Sequence, residues 1–169
     1  MKATLVVEGK EFPIEINDPE LQKLIIVPPK KTGYERVRMH QDYHIVYGDG
    51  EFASHGECHC DQDSRYYSEA NYYSAEIVAR NNARADRLMR QMRRFAVENR
   101  GHTPVFGKDT EYKWCIFYDY DEKILCCHRD IENKMFGAIY FNSKDKARLA
   151  IDTFHDELIW YFTEYKDSL

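Results

Sequence analysis

The stretch YHIVYGDGEF, residues 43–52, decides how the rest of the chain is read. An apolar and aromatic run stops at Gly48-Asp49-Gly50 and resumes at Glu51. A short glycine- and aspartate-rich break between two such runs is the signal of a β-hairpin. The return run continues through HGECHC at 55–60. A polar segment containing Tyr66 and Tyr67 then leads to NYYSAEIVA at 71–79. There Ser74 can cap a helix preceded by a short third strand. Val78, Ala85, Leu88, Met92 and Phe95 recur at three-, four- and seven-residue spacings, which predicts a helix over about 75–98.

The same order of signals appears a second time. WCIFYDYDEK at 114–123 and ILCCHRD at 124–130 form another hairpin pattern. AIYFNSKDKARLA at 138–150 follows, with Ser143 before a second helix expected over about 144–165. Two βββα-like repeats predict an α+β fold in which an antiparallel sheet is covered by two long helices. The expected organisation is an N-terminal hairpin, short helix and linker at 1–31, a first repeat at 32–100 and a second at 101–169. The three would share one compact domain. In the N-terminal segment, ATLVVE and EFPIEI flank Gly9-Lys10 as a hairpin. Pro19 would open the short helix.

Composition narrows the possible functions. The 169 residues carry a formal net charge of -5, which argues against a protein that coats nucleic acid. Aromatic content is 14 %, dominated by 13 tyrosines. Tyrosine packs its ring while its hydroxyl stays wet, which suits interfaces. No apolar run approaches a membrane span, and the N-terminal residues lack the apolar core of a signal peptide. A cytoplasmic protein is therefore expected, with its five cysteines reduced or bound to metal.

Three sets of residues carry possible chemistry. If 55–60 continue as a strand, Cys58 and Cys60 share a face, as do Cys126 and His128 on the other return strand. Brought together, these four are suited to a structural zinc ion, with His55, His59 and Cys127 as substitutes if the register differs. The alternative is reduced thiols packed as small hydrophobes. The second set is Arg80, Arg84, Arg87 and Arg94, one stripe of the first long helix. Such a stripe can dock on phosphate or an acidic surface, or it can simply be a solvated face. The third set is acidic: Asp49 and Glu51 at one hairpin turn, and Asp119, Asp121 and Glu122 at the other, with Tyr66 and Tyr67 nearby. Carboxylates on a rim can imitate phosphates, and the same residues are also ordinary turn formers. No serine-nucleophile, phosphate-loop or dinucleotide motif occurs.

The segment KKTGYERV at 30–37, the tyrosine-rich hairpin and helix, and AIYFNSKDKARLAID at 138–152 resemble accessory proteins of phages and prophages of Gram-positive bacteria. The resemblance implies a non-structural protein acting in the host cytoplasm. Small acidic proteins of this kind include anti-CRISPR and other anti-defence inhibitors. The expectation is thus a non-enzymatic inhibitor that binds a host defence effector such as an RNA-guided nuclease. The alternative is a regulatory protein that binds a nucleotide or nucleic acid and carries a structural zinc.

Overall fold

The computed structural model describes residues 2–7, 10–17, 19, 31–100, 105–107, 112–130 and 134–169. Internal contacts divide the chain at one place, between Lys31 and Thr32. In the first unit, β1 (Lys2–Val7) pairs antiparallel with β2 (Lys10–Glu15). Pro13, which cannot donate to a ladder, lies opposite Thr4 in this two-stranded ribbon. The short helix expected after Pro19 falls outside the described residues.

The second unit begins with an extended segment and the hairpin β3 (Asp42–Val46) and β4 (Phe52–Gly56). Helices α1 (Asp61–Ser68) and α2 (Glu76–Arg100) follow. The hairpin β5 (Lys113–Asp119) and β6 (Ile124–Asp130) leads to α3 (Lys144–Thr153) and α4 (His155–Thr163). The alternating burial of β3, with Tyr43 and Ile45 buried, is what a strand with one core face requires.

The α+β class holds, but its expected architecture does not. No common sheet exists among the described residues: each hairpin is its own two-stranded ribbon. The expected third strands shrink to single antiparallel bridges, His44 with Tyr73 and Trp114 with Phe141. Residues 57–60 leave the strand, with His59 in the left-handed region at φ 57°. The polar 61–68 segment, which shows no helical periodicity in the sequence, is α1, whose first-turn Asp61 and Asp63 suit a helix N-terminus. The second long helix is two short ones. Phe154 caps α3 at φ −116° and ψ 22°, and its carbonyl restarts the ladder by accepting from Leu158 N–H. Four helices among the described residues thus stand where two long ones were expected to cover a sheet.

The main core lies where α2 meets the second half. Leu88, Met92, Ala96, Phe141, Ala147, Ala150 and Leu158 are buried together. One face of the β5–β6 hairpin, with Trp114, Ile116, Leu125 and Cys127, packs on them. Phe95 meets Phe141 and Phe154 edge-on at 6.3 and 5.5 Å. A separate cluster, Tyr43, Ile45 and Tyr72, closes the first half. Two backbone features bind the unit together. Gly33, at φ 95°, lies so close to α2 that an added Cβ would be 2.6 Å from Val78 Cγ2. Its carbonyl accepts from Ser74 N–H. At the other extreme of the unit, Leu169 N–H donates to Thr32 O at 3.0 Å.

Candidate functional site

Two places in the second unit concentrate polar chemistry. The first is a knot around the carboxylates of Glu57 and Asp63. Glu57 has no exposed side-chain surface, and a buried carboxylate is tolerated only with full hydrogen bonding and charge compensation. Arg36 supplies both. Its Nη2 donates to Oε1 at 3.0 Å and its Nε to Oε2 at 3.2 Å. Tyr72 hydroxyl donates to Oε2 at 2.6 Å, and His59 N–H to Oε1 at 2.8 Å. His59 Nδ1 stands 3.2 Å from the same oxygen. The Arg36 hydrogen bonds hold the Glu57 carboxyl below its ordinary range, against a burial that would raise it.

Asp63 is the second centre. Tyr43 hydroxyl donates to Oδ1 at 2.7 Å. Cys58 N–H, Cys58 Sγ and Cys60 N–H donate to Oδ2 at 2.9, 3.1 and 3.2 Å. Burial alone would raise this carboxyl, but the donors outweigh it and hold the group well below the usual carboxylate range. The Tyr43 and Tyr72 rings stack at 4.0 Å, joining the two centres. Burial first, then hydrogen bonding to the carboxylates, pushes both hydroxyls well above the ordinary tyrosine range. The Cys58 thiol rises to about 11, chiefly through its hydrogen bond with Cys60 and then with Asp63. Nearby, His55 lies between Tyr43 and Tyr66, and its Nε2 is buried without a hydrogen-bond partner.

The ligand atoms of Cys58, Cys60 and Asp63 all lie within 4.8 Å of one another, so this group can hold a metal ion. Two thiols and one carboxylate oxygen suit a borderline-soft cation. Cys126 and His128, expected to complete that set, sit on β6 opposite Phe117 and Cys115. They join no group of three such ligands among the described residues. Cys127 faces the core, where burial pushes its thiol up.

The second place is a cleft of about 430 Å³ lined by Gly50, Glu51, Phe52, Arg80, Ala83, Arg84, Arg87, Leu88, Gln91 and Glu157. Three members of the arginine stripe thus open into one space. Arg80 lies over the Phe52 ring at 4.1 Å and pairs with Glu76 at 2.6 Å. Arg84 lies over the Trp160 ring at 4.0 Å and grips Glu157 through Nε and Nη2 at 2.8 and 3.0 Å. Arg87 donates to Gly50 O at 3.3 Å. Arg94 stands farther along α2, exposed and 3.9 Å from Glu98.

The acidic turn residues divide by role. Asp49 Oδ1 accepts from Glu51 N–H, and Asp119 Oδ1 from Asp121 and Glu122 N–H. Asp49 and Asp119 therefore brace their turns, while Glu51, Asp121 and Glu122 are exposed. Tyr66 packs beside the Tyr43 cluster, and Tyr67 meets Tyr72 edge-on at 5.4 Å. Sequence reasoning missed Arg36, Glu57 and Asp63 as partners. The one available signal was a carboxylate beside each cysteine of an HGECHCDQD run. No helix of the described residues is long and apolar enough to cross a membrane. No protein-family model, curated protein or solved structure matches the chain.

Proposed function

We propose that the chain is a non-catalytic recognition protein, a phage-type inhibitor that docks on a bacterial defence effector, the target being an RNA-guided nuclease. One observation carries the non-catalytic part. The ionisable groups of the Glu57–Asp63 knot, all buried except the exposed Cys58, are engaged by internal partners, and their shifts lead away from neutrality. Glu57 and Asp63 are held as carboxylates, while Tyr43, Tyr72 and Cys58 are held protonated. A general acid or base works best near the operating pH. The groups free to meet a partner are exposed: Glu51, Asp121 and Glu122 on the turns, and the outer arginines of α2. The choice of a defence nuclease as target rests on the phage-type phrasing of the sequence.

Co-purification with guide-loaded effector nucleases, alongside a target-cleavage assay, tests this reading. Binding with suppressed cleavage is expected, weakened by charge reversal at Asp121 and Glu122. Failure to bind any effector, with cleavage unimpaired, removes it.

A second reading is a regulatory protein that binds a nucleotide or nucleic acid and carries a structural zinc, of which the Cys58–Cys60–Asp63 group supports only the zinc part. Metal analysis of protein purified without chelators decides the zinc part. One equivalent of zinc, lost in Cys58→Ser, supports it; a folded metal-free protein removes zinc as a structural requirement.

A further inference from the structure

Five arginines of the second unit are matched to carboxylates: Arg36, Arg65, Arg80, Arg84 and Arg94. Arg87 and Arg90 have no such partner among the described residues, yet both turn onto one spot. A Cβ added to Gly50 would lie 3.2 Å from Arg90 Nη2 and 3.3 Å from Arg87 Nε. Two guanidinium groups thus approach the same residue without a side chain. Gly50 and Arg87 line the cleft described above, and Arg90 reaches that glycine from beyond the lining. Like charges at short range repel, and a shared anion relieves the repulsion. Arg87 uses one N–H on Gly50 O, which leaves donors on both groups for a ligand.

We propose that Arg87 and Arg90 bind the phosphoryl group of a small phosphorylated molecule whose remainder occupies the cleft. The planar, multiply donating guanidinium matches phosphate oxygens, and two of them match its double charge. A volume of about 430 Å³ is in the range of small-ligand sites. The flanking aromatics are already covered, Phe52 by Arg80 and Trp160 by Arg84. The site therefore reads the oxyanion and offers no free ring for a nucleobase to stack on.

The inference is independent of partner docking, because the protein alone is the reagent. The test is calorimetric titration at low ionic strength with pyrophosphate and, separately, with adenosine monophosphate. Saturable one-site binding of pyrophosphate is expected, weakened at least tenfold in R87A/R90A and unchanged in R93A. R93A should keep the parent thermal midpoint; R87A/R90A loses the Arg87 hydrogen bond to Gly50 O, and an unchanged far-ultraviolet circular dichroism spectrum shows that its weaker binding is not unfolding. No saturable binding, or equal weakening by R93A, overturns the site. Adenosine monophosphate binding more than tenfold tighter than pyrophosphate overturns the oxyanion-only reading.

Discussion

Glu57 shows how much one side chain can organise when it is buried and fully matched. It ties the segment before β3, through Arg36, to the turn after β4, through His59, and to Tyr72 ahead of α2. Glu57→Gln leaves Arg36 without its counter-charge. Removing one partner of a buried pair is expected to cost about 3 kcal/mol, read as a lower urea midpoint at constant slope. His55 predicts the opposite. Its Nε2 is buried without a partner, and an apolar ring of similar shape removes that cost. His55→Phe should raise stability by about 1 kcal/mol in the same urea experiment. Glu35 governs part of the acid response. Hydrogen bonds from the Thr32 backbone, then from its own, with help from the Thr32 and Ser74 hydroxyls, lower its carboxyl from 4.5 to about 2. A depressed carboxyl stabilises the fold above its unfolded value and loses that contribution as pH falls through the folded one. Stability should therefore decline from pH 4.5 towards about 2, and Glu35→Gln should flatten that decline in urea titrations across the window. Glu57 and Asp63 shift the same way, so a residual slope persists.

At the scale of elements, legibility followed periodicity. Helix α2 was visible because its apolar residues repeat on one face, and the hairpins because apolar runs flank glycine and aspartate. Helix α1 was not, since DQDSRYYS carries no apolar stripe and no Ser or Thr precedes it; Cys60 occupies the cap position. The expected metal set differs from the observed group for a related reason. Strand alternation predicts a shared face for Cys58 and Cys60, but His59 turns the chain there, and Asp63 stands with the two cysteines. The break at Phe154 is equally silent, because the backbone ladder is interrupted while the apolar pattern continues across it. The arginine stripe was legible as a stripe, but the convergence of Arg87 and Arg90 on Gly50 depends on contacts between distant segments. Gly33 illustrates the same limit, since its closeness to Val78 joins residues far apart in the chain. Gly33→Ala combines a left-handed backbone with a 2.6 Å clash. It should destabilise by about 2 kcal/mol or more, measured as a drop in thermal midpoint.

The whole molecule separates its charges by place. A net charge of -5 coexists with a helix whose outer face is basic, so bulk electrostatics alone would misjudge the α2 surface. The contact that closes the second unit, Leu169 N–H on Thr32 O, carries a topological consequence. The 32–169 segment is close to a ring, and the peptide order around a ring is arbitrary. Joining 169 to 32 through a short glycine-serine linker, and opening new ends at the exposed Asp121-Glu122 turn, should yield a circular permutant with the same core. Its near-ultraviolet circular dichroism should match that of the uncut 32–169 chain, and collapse of that signal would show that the native order of connection matters. For a fold of separate ribbons, the threading is then one of several routes to the same packing.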